Sequence, residues 1–84
     1  MEDKKQIEAI KGETAYGLMQ FGKELPKWFN DDFEAGNINY QDDSFIIHLM
    51  QGDVLVGPAD YIVNHHGKLS RMTEGEFREW TSGL

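Results

Sequence analysis

The groups of this 84-residue chain that acid–base or metal chemistry would draw on are three histidines, His48, His65 and His66, and fifteen Asp and Glu residues. A metal centre needs side chains that converge on one ion, and the usual signals are His-x-His or His-x3-His pairs. Neither is present. His65 and His66 are adjacent, and in a strand or turn adjacent rings are expected to diverge. A centre would have to gather His48, His65 or His66 with Asp53 or Asp60, and no spacing favours that. Covalent catalysis needs a nucleophile within reach of a base and an orienting group. Ser44, Ser70 and Ser82 lie in no nucleophile-elbow pattern, and there is no cysteine. Gly12, Gly17 and Gly22, five residues apart, are followed by no Lys-Ser or Lys-Thr step and make no phosphate-binding loop. The residues therefore predict a protein that is not an enzyme, with no catalytic residue, no cofactor and no metal.

The charge pattern is more informative than any motif. Eight Lys and Arg against the fifteen acids give a net charge of -7. Residues 1 to 27 carry five acids and five bases, residues 68 to 84 carry three of each, and both segments sum to zero. All of the net charge lies between Trp28 and Gly67, in Asp31, Asp32, Glu34, Asp42, Asp43, Asp53 and Asp60, with no Lys or Arg among them. Phosphate contacts supply most of the affinity in nucleic-acid binding, so this balance argues against direct binding of DNA or RNA. It equally disfavours an anionic membrane surface, and no apolar run approaches the ~18 residues of a membrane span. An acidic face of this kind keeps a small protein soluble. It would also steer the protein onto a basic partner, including a surface that ordinarily holds nucleic acid.

Ten aromatic residues and 39% hydrophobic content are too many for a disordered acidic tail. One domain is expected, stabilised by packing alone. Lys4 to Lys11 alternates as a strand, and Gly12 to Gly22 reads as a loop with one irregular helical turn. Leu25, Trp28, Phe29 and Phe33 form an apolar stripe that predicts a helix over Leu25 to Ala35, opened by Pro26 and closed by Gly36. The period then becomes two. Strands are predicted over Ile38 to Gln41, Phe45 to Met50, Val54 to Val56, Tyr61 to Asn64 and Lys68 to Met72. The connections Asp42-Asp43-Ser44, Gln51-Gly52-Asp53 and His65-His66-Gly67 are of hairpin length. Thr73 and Glu76 form a Thr-x-x-Glu capping box for a last short helix carrying Phe77 and Trp80. Residues 1 to 3 and 81 to 84 are expected to fray. The fold class is a small single α+β domain: an N-terminal strand, an amphipathic helix, a mostly antiparallel curled sheet of four to six short strands and a short C-terminal helix. Trp28, Phe29, Phe33, Phe45, Phe77 and Trp80 are the expected core.

Several of these stretches together resemble a family of short phage and prophage proteins. They are Leu25-Pro26-Lys27-Trp28-Phe29, Gly36-Asn37-Ile38, Gly52-Asp53, Pro58-Ala59-Asp60-Tyr61-Ile62-Val63, Gly67 and Phe77. Members carry a P-x-W-(F/L) helix, a hairpin with a T-L-E-G-like turn and a C-terminal P-G-D-(Y/W)-I-I…G-E…P-x-x-F block. The likeness runs from about Ile7 to Trp80. It departs at Ala59, where Gly is usual, at Leu49-Met50-Gln51-Gly52 for the acidic turn, at Lys68 where Glu is usual, and at Ser70-Arg71-Met72 for Tyr-Pro-Cys. The resemblance implies a phage or prophage origin, a compact α+β domain and no catalytic residue.

Charge and resemblance together predict a non-enzymatic phage accessory protein of the host cytoplasm. It would bind and inhibit a host protein with a basic surface, such as a defence or nucleic-acid enzyme, through its seven central carboxylates, acting as a nucleic-acid mimic. The alternative is a structural or self-associating phage protein, a homodimer, with no inhibitory role.

Overall fold

The computed structural model describes residues 7–82. Strand β1 (Ile7–Lys11) runs directly into helix α1 (Gly12–Gln20), which is followed by helix α2 (Lys27–Glu34). Strands β2 (Ile38–Gln41), β3 (Ser44–Leu49), β4 (Gly52–Val56), β5 (Tyr61–His65) and β6 (Lys68–Met72) come next, and helix α3 (Glu74–Ser82) ends the described chain. The α+β class, the N-terminal strand and the C-terminal helix read from the sequence are borne out. Lys4, Lys5 and Gln6 of the expected first strand lie outside the described residues, as do residues 1 to 3. Among the described residues no helix is long and apolar enough to cross a membrane.

The strands form two three-stranded antiparallel sheets, β1-β5-β6 and β2-β3-β4. The break between them is chemical. Pro58 has no N–H to give to a ladder, and Gly57 to Asp60 closes on itself, with the Asp60 N–H donating to the Gly57 carbonyl at 3.1 Å and the Gly57 N–H to Asp60 Oδ2 at 3.1 Å. The chain leaves β4 through this turn and begins the other sheet.

Helix α1 corrects the sequence reading of residues 12 to 22 as a loop. Its first N–H groups are taken up by the same turn, Gly12 N–H donating to the Asp60 carbonyl at 2.7 Å and Glu13 N–H to the Pro58 carbonyl at 2.9 Å. Of the three glycines only Gly17 lies in the helix interior, at a cost of about 1 kcal/mol relative to Ala. Gly22 lies just past the end with φ of 65°, and the Lys23 N–H reaches back to the Leu18 carbonyl. Helix α2 ends the same way, with Gly36 at φ of 88° and the Asn37 N–H on the Asp32 carbonyl. Both are Schellman closures, which satisfy carbonyls the helix leaves open.

Register fixes the layers. Ile38 and Tyr40 on β2, Phe45 and Ile47 on β3 and Val54 and Val56 on β4 share one face. On that face Phe29 of α2 sits edge-on to Phe45, ring centroids 5.5 Å apart. Ile10, Ile62 and Leu69 of the other sheet and Ala15 of α1 complete this core. Phe29 and Phe45 are fully buried as expected, whereas Trp28 and Phe33 are half-buried on its margin. Phe77 and Trp80 belong elsewhere. Tyr61, Val63 and His65 project from the opposite face of β5, where Phe77 stacks on Tyr61 at 4.0 Å and Trp80 meets His65 edge-on at 5.8 Å, so α3 covers Val63, which is buried.

The capping box of α3 forms, Thr73 N–H donating to Glu76 Oε1 at 3.0 Å and Glu76 N–H to Thr73 Oγ1 at 3.2 Å. Thr81 and Ser82, expected to fray, are helical. Their hydroxyls donate to the Phe77 and Glu79 carbonyls, both at 2.9 Å, and tie down the last turn. Gly83 and Leu84 lie outside the described residues.

Candidate functional site

The seven central carboxylates do not form one row. Asp31, Asp32 and Glu34 lie on α2, Asp42 and Asp43 in the β2–β3 turn, and Asp53 on β4. Asp60 lies in the turn between the sheets. Asp32 is held at the start of β2, where its Oδ1 accepts from Asn37 Nδ2 at 2.9 Å. Asp42 follows the last residue of β2 and takes φ of 58°. Asp32 and the Asp42-Asp43 pair are therefore separated by the length of the four-residue β2, about 13 Å at 3.3 Å per residue.

Their engagements differ as well. Asp31 is bridged to Lys27 one turn earlier, with Nζ donating to Oδ2 at 2.8 Å, and this hydrogen bond to the carboxylate raises the Lys27 pKa above its ordinary value. The contact offsets the placement of an acid toward the C-terminal end of a helix, where the dipole disfavours it. Asp60 faces inward. Its carboxylate is only 23% exposed, accepts from Gly57 N–H and stands 3.9 Å from Arg71. It shapes the turn, as its local hydrogen-bonding capacity suggested. Glu34, Asp42 and Asp43 are exposed.

Asp53 belongs to an arrangement that the sequence reading missed. The β3–β4 register sets His48 opposite Asp53, and His48 Nδ1 lies 2.7 Å from Asp53 Oδ1. On the other side of the ring, Nε2 lies 2.7 Å from Asn39 Nδ2. An ionised carboxylate can only accept, so Nδ1 carries the proton, and in the neutral imidazole the Nε2 lone pair accepts from the Asn39 amide. The ring is clamped at both nitrogens. The connection was expected at Gln51-Gly52-Asp53, but the turn is Met50-Gln51, with Gly52 and Asp53 already in β4. A turn centred between residues 50 and 51 pairs 48 with 53, and that symmetry was the available signal.

His65 and His66, expected to diverge, have ring centroids 4.3 Å apart. His66 takes φ of 57° and Gly67 φ of 83°, so the alternation of the strand ends at His65 and the second ring returns beside the first. Among the described residues no group of three or more His, Asp or Glu is placed to hold a metal ion.

A cleft of about 460 Å³ opens where the β3–β4 turn approaches the β5–β6 turn, alongside the end of α2. Leu49, Met50 and Leu69 supply its apolar part, and Asp32, His48 and Lys68 its ionisable groups. Met50 projects wholly into solvent at its rim. The cleft draws Asp32 and, through His48, Asp53 into one neighbourhood. Asp42, Asp43 and Asp60 stay outside it.

Comparison with models of known protein families, with curated proteins and with solved structures gave no match.

Proposed function

We propose that the protein is a non-enzymatic accessory protein that binds a host protein bearing a basic surface and inhibits it through carboxylates of its central segment. The observation that carries this reading is the charge segregation: seven acids and no Lys or Arg between Trp28 and Gly67. A field of one sign accelerates encounter with an oppositely charged surface and selects against partners of like charge. Exposed Glu34, Asp42 and Asp43 are free to contribute to contact, while Asp60 contributes to the field rather than to the contact. A partner that ordinarily holds nucleic acid, a defence or nucleic-acid enzyme of a phage host, presents such a surface, and the carboxylates would then occupy the places of phosphates.

The test is a pull-down from host lysate at physiological and at raised salt, with the native protein and with a variant in which Asp31, Asp32, Asp42 and Asp43 are all Asn. A partner retained by the native protein near physiological salt and lost by the variant is the expected result. A partner indifferent to the four changes, or none, overturns the reading.

Self-association is the second reading, favoured by the exposure of Phe21, Met50 and Leu55. Light scattering separates the two: a dimer insensitive to salt selects self-association, and a monomer at high concentration excludes it.

A further inference from the structure

The cleft between the two turns carries both halves of what a long basic side chain requires. We propose that it receives one arginine or lysine side chain of the partner, with the aliphatic stem on Leu49, Met50 and Leu69 and the charged head on Asp32. The inference rests on the basic partner proposed above and gives that partner a defined seat.

Lysine and arginine bury their methylene stems on apolar surface while the head keeps a polar environment, and the lining supplies both, Leu49, Met50 and Leu69 for the stem and Asp32 for the head. Its volume of about 460 Å³ is ample for one such side chain. Asp32 is half-buried, so a charge-assisted hydrogen bond there is less weakened by water than on an open surface. Its Oδ1 is taken by Asn37, leaving Oδ2 for a second donor. His48, also in the lining, has both ring nitrogens engaged, by Asp53 and Asn39, and does not compete for Asp32. Met50, fully exposed at the rim, is unbranched and adaptable, suited to closing over a guest stem.

The ionisable groups give the proposal its sign. Lys68 is the one Lys or Arg lining the cleft, and it opposes a cationic guest. Removing it should tighten binding of a basic side chain, whereas an anionic guest would be lost with it. Asp32→Asn should act in the opposite direction.

The experiment titrates a hexa-arginine peptide into the ¹⁵N-labelled full-length protein at about 0.15 M salt and follows amide shifts. Changes centred on Asn37, Met50 and Lys68 are expected. Affinity should fall about tenfold in Asp32→Asn, as for loss of one charge-assisted hydrogen bond, and rise severalfold in Lys68→Ala. Shifts centred on Asp42 and Asp43 would overturn the cleft while leaving the basic partner standing. An unchanged affinity in Asp32→Asn, or weakening in the exposed-site variant Lys68→Ala, would do the same. Absence of binding would overturn both.

Discussion

The α-carbon of Gly12 lies so close to the carbonyl of Gly57 that a β-carbon on it would overlap the Gly57 oxygen, far inside contact distance. The clash would be with backbone, in the turn that also receives the first N–H groups of α1, so no side chain can swing aside to relieve it. Gly12→Ala is expected to destabilise the protein by about 1–3 kcal/mol. Gly17→Ala is expected to do the reverse, because a β-carbon there meets nothing within 4 Å and the helix interior gains about 0.5–1 kcal/mol from the exchange. Denaturant titration of the two variants beside the native protein checks both signs.

Phe29 and Phe45 are fully buried and in contact. Either residue changed to Ala should cost about 3–5 kcal/mol, a large part of what a domain of this size possesses. Half-buried Trp28 and Phe33, which the sequence also places in the core, should each lose less. A thermal melt in which Trp28→Ala falls further than Phe29→Ala would contradict this order.

The clamped ring of His48 predicts an unusual tautomer. In its neutral form the proton should reside on Nδ1, facing Asp53, and ¹⁵N shifts of the ring measured at pH 9 should show it. Asp53→Asn or Asn39→Ala should move the ring toward the ordinary mixture of tautomers. Each exposed hydrogen bond lost should cost about 0.5–1.5 kcal/mol or less.

Lys11 joins two helices, its Nζ standing 3.2 Å from Glu13 of α1 and 3.7 Å from Glu74 of α3. The hydrogen bond to Glu13, followed by the attraction of Glu13 and Glu74, raises its pKa above the usual lysine value. A raised pKa in the folded state means that the contribution of Lys11 is fully present below the unfolded value and is lost as pH rises through the folded one. Stability measured from pH 7 to 12 should therefore fall on the alkaline limb above about pH 10.4. Lys11→Met should remove that component of the fall and leave the acid limb unchanged.

Strands β2 and β6 have the boundaries expected from alternation, because turn residues bracket both closely. Helix α1 was hidden because three glycines read as breakers, although Gly12 serves a close contact and Gly22 terminates the helix as Gly36 does. The signal recognised at Gly36 was equally present at Gly22. Division into two sheets was not legible, since it depends on β1 meeting β5, and alternation says which face a residue occupies without naming its partner strand. The site divides similarly. Seven acids could be counted, but that Asp60 folds inward and Asp53 holds His48 depends on turn geometry one residue finer than the turn residues define.

The pairing of β1 with β5 also orders events in time. Ile10 pairs with Ile62, so β1 has no partner strand until β5 has been made. Helix α2 and the β2-β3-β4 hairpins need only residues 27 to 56 and involve short loop closures, which come early and fast. Closing β1 onto β5 is the long-range step and should come last. Changes in β1 should therefore shorten the lifetime of the folded state more than they slow its formation, and the strand that precedes the other five should be the last to be secured.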